Sequence, residues 1–258
     1  MADARGSIDQ YVAGFRDRVR AMRHPGQEIV DEPGLLGLVG RSSEALDGRV
    51  LVLDDRAHET LAARLPELFA RVFYVFDDAE ACRGLMSQDP RFRPTRCTAM
   101  VCNGLGAIPE LSLPAGLTLR PVSASPTDTA EVPLADAASA ALRSDAEMAP
   151  TTDLDSFLEY LRSIPNTRYV AAVDDGGDVR ATAAAASWGS TTGVFFVNTD
   201  PAWRGRGIGT AMTAAALRYA AAAGAERACL DASSLGLSIY ERLGFESVGA
   251  ITQFVDQG

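Results

Sequence analysis

Hydrophobic positions near the start of the chain recur at helical spacing. Ile8, Tyr11, Val12, Phe15, Val19 and Met22 share one face, which predicts an opening amphipathic helix over 7–23. Apolar runs at 34–39 and 49–53 read as strands. A helix is expected from about Arg56, broken or kinked at Pro66. Arg71-Val-Phe-Tyr-Val-Phe76, aromatic and β-branched, is the clearest strand of this half. A short helix over 78–86, a loop over 88–95 carrying two prolines, and a strand over 97–102 complete an α/β unit with its own small sheet. Residues 103–116 intersperse Gly, Pro and an acid, and read as a linker.

Beyond the linker a strand is predicted at 117–122, then a poorly patterned helix within 127–148. Thr151-Thr-Asp153 forms an N-cap cluster for a second helix whose Leu154, Phe157, Leu158 and Leu161 make one apolar face. Strands at 169–173 and 179–188 flank Asp175-Gly-Gly-Asp178, a hairpin pattern. The run Gly193-Val-Phe-Phe-Val197 is the next strand. It leads into Asn198-Thr-Asp-Pro-Ala-Trp-Arg-Gly-Arg-Gly-Ile-Gly209 and an alanine-rich helix over 210–223, closed by Gly224. A short strand at 227–231, a helix from Leu237 and a last strand end the chain.

Strand, glycine-rich turn and helix start together make an anion site, because unpaired backbone N–H groups and the helix dipole face one point. A dinucleotide fingerprint needs glycine at 210, where Thr stands, and no Gly-Lys-Ser/Thr of a nucleotide P-loop occurs. What is present is Arg204-x-x-Gly207-x-Gly209, preceded by Val197 and Pro201. The other spaced set, Gly34, Gly37 and Gly40, precedes no helix and reads as a glycine-containing strand.

This turn resembles the acyl-coenzyme A signature of the GNAT superfamily of N-acyltransferases, (Gln/Arg)-x-x-Gly-x-(Gly/Ala). Leu237-Ser-Ile-Tyr240-Glu-Arg-Leu-Gly-Phe245 resembles the family's C-terminal helix, loop and last strand. The resemblance spans about 117–254. It implies an α/β fold in which a mixed, mostly antiparallel sheet flanked by helices occupies a domain at 117–258. A smaller N-terminal α/β domain at 1–112 precedes it. That domain has no second turn of this kind, and tandem members of the superfamily leave open that it is a degenerate GNAT-like half.

The resemblance further implies transfer of an acetyl or other acyl group from acetyl-CoA to the amine of a small molecule or peptide, with no metal. By motif, backbone N–H groups of Gly205, Arg206, Gly207, Ile208, Gly209 and Thr210 would bind the pyrophosphate. Glycine is expected at 207 and 209 because a Cβ there would hold the phosphates away. Val197, Asn198 and Thr199 would pair with the pantetheine arm as an added strand does, and Arg204 would add charge. Tyr240 matches the tyrosine that protonates the leaving thiolate. Seven residues earlier, where the family often has Asn, this chain has Ser233.

The general base is not marked. Val194, Phe195, Phe196 and Ala228 stand where relatives place bases, and Asp231 is the nearest acid. His24 and His58 belong to the first half. An alternative from another class therefore stays open, a catalytically silent module that senses acyl-CoA, as does a scaffold whose first half self-associates into a homodimer. Trp188, Phe195 and Phe196 are expected to give apolar cover near the site.

The length of 258 residues allows one large domain or two small ones. A net charge of −10 argues against nucleic acid or anionic membrane as partner and suits a cationic amine. Cys82, Cys97, Cys102 and Cys229 lack zinc spacing and read as buried apolar residues. No signal core or membrane-length apolar run occurs, so a cytoplasmic protein is expected.

Overall fold

The computed structural model describes residues 4–40, 48–144 and 153–256. Contacts divide the chain into two compact units. The first comprises Met1–Val101, Asp231–Leu237 and Glu246–Gly258; the second comprises Cys102–Leu230 and Ser238–Phe245. This differs from a linear division at 112–117, because C-terminal segments pack with the N-terminal residues.

The first unit opens with helix α1 (Ala4–Ala21) and three antiparallel strands, β1 (Gln27–Glu32), β2 (Leu35–Gly40) and β3 (Arg49–Val52). Strand β4 (Val72–Phe76) lies parallel to β3, and parallel neighbours need a crossover, supplied by α2 (His58–Arg64). Helix α3 (Glu80–Gln88) and strand β5 (Phe92–Asn103) follow. The chain's last strand (Glu246–Asp256) is antiparallel to both β4 and β5 and lies between them. The small sheet expected within 1–112 is therefore incomplete without the C-terminus, whose Phe254 is fully buried beside Phe73 and Val75.

Two further differences from the sequence pattern appear here. Residues 92–95 are strand rather than loop: Phe92 is buried and packs edge-on to Phe73 at 5.3 Å, and Pro94 sits in register with Phe254. Strand β1 was not expected, since its charged residues mask a pattern in which Gln27 and Val30 point inward. Pro66 does end α2, which passes into a 3-10 turn at Leu65–Glu67. Of the four free cysteines, Cys82 and Cys102 are buried as expected, but Cys97 and Cys229 are half-buried. Burial pushes the Cys82 thiol up to about 11.

The second unit also leads from antiparallel strands through a helical crossover to a parallel strand. Strand β6 (Leu117–Ser123) pairs with a two-residue strand β7 (Val132–Pro133) and with β8 (Thr167–Asp174). Strands β8, β9 (Val179–Trp188) and β10 (Thr191–Thr199) are antiparallel. Helix α6 (Ile208–Ala222) then crosses to β11 (Arg227–Ala232), parallel to β10. Helices α4 (Leu134–Ser144) and α5 (Leu154–Ser163) bury Ala137, Ala141, Phe157 and Leu161 with Ala171, Ala184 and Phe196 of the strands. Asp153 caps α5 by accepting from the Ser156 amide, while Thr151, Thr152 and residues 145–150 lie outside the described residues. Helix α7 (Leu237–Arg242) carries Tyr240, and the last strand becomes β12. Among the described residues no helix is long and apolar enough to cross a membrane.

Two glycines test this packing in opposite directions. A Cβ on Gly37 would lie 2.8 Å from the Arg49 carbonyl oxygen and 3.0 Å from the Val50 Cα, whereas one on Gly84 in α3 meets nothing within 4 Å. Gly37→Ala should destabilise by about 1–3 kcal/mol. Gly84→Ala should stabilise by roughly 0.5–1 kcal/mol. Chemical denaturation of the two variants checks both signs.

Candidate functional site

The site begins with two strands that part. Strand β10 pairs with β9 along most of its length, but with β11 only where Thr191–Gly193 face Arg227–Cys229. The β9–β10 register shifts between Phe195 and Asn198, and Phe196 has φ 60°, rare for a bulky residue. Surrounding contacts hold that conformation. The Thr182 hydroxyl donates to the Phe196 carbonyl at 2.9 Å, and the Phe196 ring packs 5.8 Å from Tyr169 and 5.9 Å from Phe157. Past Gly193, no described strand pairs with the edge of β10 that faces β11. Val197, Asn198 and Thr199 lie on this stretch, and of their backbone groups the Thr199 carbonyl accepts from Arg204.

The turn that follows is held before any ligand arrives. The Asp200 side chain accepts from the Ala202 amide at 2.9 Å, and the Asp200 amide donates to the Arg180 carbonyl at 2.8 Å. The Arg180 guanidinium donates to Asp174 at 2.7 Å, Asp178 at 2.8 Å and Asp200 at 3.1 Å, so the turn is tied to the β8–β9 hairpin. Arg180 and Arg206 both lie against the Trp203 ring, 5.8 and 5.0 Å from its centre. Arg204 donates to the Thr199 carbonyl at 3.0 Å and to the Ser144 carbonyl at 2.8 Å. Its charge thus sits at the C-terminal end of α4, where the dipole favours a cation.

Gly205 and Gly207 have φ of 74° and 76°, and α6 begins at Ile208 with no side-chain cap. The N–H groups of its first turn are therefore open to an anion. The sequence-based reason for glycine at 207 needs revision. A Cβ there meets nothing within 4 Å, and the left-handed backbone is what demands glycine. At Gly209 a Cβ would come within 3.0 Å of the Ile239 Cδ1, so this glycine seats the turn against α7.

One residue beyond Ile239 stands Tyr240, 9% exposed, its ring 5.8 Å from Phe245. Burial pushes its phenol up to about 12, and among the described residues its hydroxyl has no hydrogen-bond partner. A neutral phenol with an uncommitted O–H is a proton donor at any ordinary pH.

A cavity of about 490 Å³ lies against the turn, walled by residues 111–114 and by Arg206, Gly207, Thr210, Ala211 and Arg242. Neither Arg242 nor that wall stands out in the sequence. The one signal available is that Arg242 follows Tyr240 by two residues on a helix adjoining the turn.

The structure thus gathers 197–199, 204–210 and Tyr240 in the second unit, while Asp231 and Ser233 belong to the first. There the Tyr11 hydroxyl donates to Asp231 at 2.5 Å. Burial raises the Asp231 pKa, opposed by that hydrogen bond and by the charges of Arg18 and Arg49. Phe196 and Trp188 are packed core side chains, the latter lying over Gly193. Ala228 is fully buried.

Residues 165–247 match the family model of the acetyltransferase (GNAT) domain. A GCN5-related N-acetyltransferase from Kribbella flavida superposes with TM-score 0.61 at 19% identity, over 98% of this chain and 96% of that one. A second, from Sphaerobacter thermophilus, gives TM-score 0.58 at 17% identity, over 86% and 76%. A tandem GNAT protein from the clavulanic acid biosynthesis pathway gives 0.51 at 14% identity, over 98% and 96%. At such identities the likeness is one of fold. No curated protein matches. The C-terminal half of the chain carries a GNAT acetyltransferase domain.

The Arg180 network makes its own forecast. Arg180→Gln removes the ties to Asp174, Asp178 and Asp200 together. Limited trypsin digestion should then cut after Arg204 and Arg206 severalfold faster than in the parent, at temperatures where both remain folded. Equal rates would show that the network does not hold the turn.

Proposed function

We propose that this protein is an acetyl-CoA-dependent N-acetyltransferase acting on the amine of a small molecule or peptide. The observation that carries the proposal is the parting of β10 from β11 beside an uncapped helix start. That arrangement suits a long, thin ligand with an anion at one end. The pyrophosphate would sit on the amides of 205–210. The pantetheine arm would hydrogen-bond to the open edge at Val197, Asn198 and Thr199, bringing the thioester toward Tyr240.

Chemistry then needs one bond formed and one broken. The neutral amine attacks the thioester carbonyl, the tetrahedral intermediate collapses, and the C–S bond breaks. Tyr240 gives its proton to the departing sulfur, and water takes the proton that the new amide nitrogen sheds. No step is routed through Asp231, which lies with Tyr11 in the first unit. Because Val194 and Ala228 cannot accept a proton, a silent acyl-CoA sensor is the second reading. Thiol release from acetyl-CoA with a panel of amines separates the two. Turnover supports the enzyme, whereas tight binding without release supports the sensor.

Gly207→Val forces a β-branched residue to φ 76° at the phosphate turn. Acetyl-CoA binding should be lost while the circular dichroism spectrum stays that of the parent. Wild-type affinity by calorimetry would sink the assignment of the turn.

Tyr240→Phe keeps the ring against Phe245 and removes only the donor. General-acid help is typically worth about 100- to 10,000-fold, so turnover should fall by at least ~10-fold with coenzyme affinity changed only a few-fold. The folded-state phenol is raised to about 12, so the neutral donor persists as pH rises through 10 and is lost only near 12. The kcat profile should therefore show no descending limb from this group below about pH 11. Such a limb near 10, abolished in the Phe variant, would mean that the phenol is not buried during turnover.

A further inference from the structure

We propose that Thr182 and Arg204 are positioning residues that fix the two ends of the β10 stretch left unpaired on its β11 side. Between them, Val197 to Thr199 offer the acyl carrier a strand edge of set length. The inference rests on the coenzyme assignment above and adds to it which side chains keep the backbone at that seat in shape.

Three observations carry it. Thr182 is 1% exposed and stands in β9 among Ala181, Ala183, Ala184, Ala185 and Ala186, so no other side chain of that run can hydrogen-bond. Its hydroxyl donates to the Phe196 carbonyl at 2.9 Å, while its backbone is in register with Asn198. One residue thus faces β10 beyond the register shift and grips the carbonyl inside it, at the residue with φ 60°. Second, the ladder sets the direction of the Thr199 backbone groups. The Asp200 amide donates to the Arg180 carbonyl at 2.8 Å, and antiparallel residues alternate between bonding the partner strand and facing away. Thr199, in register with Ala181, therefore turns its N–H and C=O away from β9, toward the unpaired side. Third, Arg204 closes that side. Its Nε donates to the Thr199 carbonyl at 3.0 Å and its Nη2 to the Ser144 carbonyl at 2.8 Å, at the end of α4. Two nitrogens of one planar fork brace the strand against a helix end, a geometry that a single ammonium does not reproduce. Both donors are committed to protein carbonyls, so the edge offered to a ligand ends at the Thr199 amide.

Hydrogen exchange on the ligand-free, full-length protein tests the bracing by itself. The amides of 197–199 should exchange severalfold faster in Thr182→Val and in Arg204→Gln than in the parent, at temperatures where each stays folded. Thr182→Ser, which keeps the hydroxyl, should exchange as the parent does. Calorimetry then tests what the bracing is for. Thr182→Val, nearly isosteric, should weaken acetyl-CoA binding by at least ~5-fold, and Thr182→Ser should bind within about 2-fold of the parent. Arg204→Gln should weaken acetyl-CoA and acetyl-pantetheine, which lacks nucleotide and pyrophosphate, by the same factor. An Arg204 that acts on phosphate would instead weaken acetyl-CoA alone in the Gln variant and bind as the parent in Arg204→Lys. Either of those results overturns the proposal, as does parental affinity in Thr182→Val or unchanged exchange at 197–199 in either variant. Arg204 is exposed, so its variants carry the test where Thr182→Val does not fold. If the parent binds neither thioester while the exchange pattern holds, the coenzyme assignment has failed and the bracing of the edge stands without it.

Discussion

The second unit depends on one strained residue. Phe196 sits at φ 60°, a conformation that costs a bulky side chain roughly 1–3 kcal/mol, and its surroundings fix it there. Tyr169 and Phe157 enclose its ring and Thr182 holds its carbonyl. The bulge shifts the β9–β10 register between Phe195 and Asn198. Pairing of β10 with β11 stops at Gly193, two residues before it. The aromatic packing between helices and sheet therefore does more than fill space, because it holds the bulged backbone at Phe196.

The turn after that bulge is preorganised in a different way. Arg180, Asp174, Asp178 and Asp200 are exposed or half-exposed, and single surface ion pairs of that kind contribute little to stability. Their value is positional. One guanidinium fixes three carboxylates from a hairpin and a turn, and Asp200 in turn holds the Ala202 amide. Trp203 then packs against Arg180 and Arg206. The backbone of the turn is thereby ordered without any ligand.

Local features were legible in the sequence because their causes are local. Glycine at 205 and 207 reflects a backbone angle, the Asp153 cap one hydrogen bond, and the 193–197 strand its own side chains. What escaped depends on partners far along the chain. Phe92 belongs to a strand only because Phe254 and Phe73 complete the layer around it, and Pro94 then finds its place in register. Strand β1 hides its two inward residues among charges. The half-burial of Cys97 and Cys229 is likewise set by neighbours, not by composition. Arg242 stands in the segment 237–245, but its contact with Thr210 on the first turn of α6 appears only when α7 is folded beside it.

The two units also differ at the turn between a strand and its crossover helix. The first has three antiparallel strands, the second four, and in each a helical crossover leads to a parallel strand. Where the second unit has Gly205 to Gly209 at the strand-to-helix turn, the first has Asp54 and Asp55. Asp54 accepts from Arg56, whose side-chain hydrogen bond holds its carboxyl below the usual range. Asp55 accepts from the Ala81 and Cys82 amides at the start of α3, and those bonds hold it low as well. Both are therefore charged at neutral pH. A phosphate approaching that turn would meet two negative charges, and Asp55 already occupies the amides of the neighbouring helix start. The turn before the crossover thus carries glycines in one unit and two carboxylates in the other, one of which satisfies amides of the helix that follows β4, and the difference lies in side-chain charge and glycine rather than in fold.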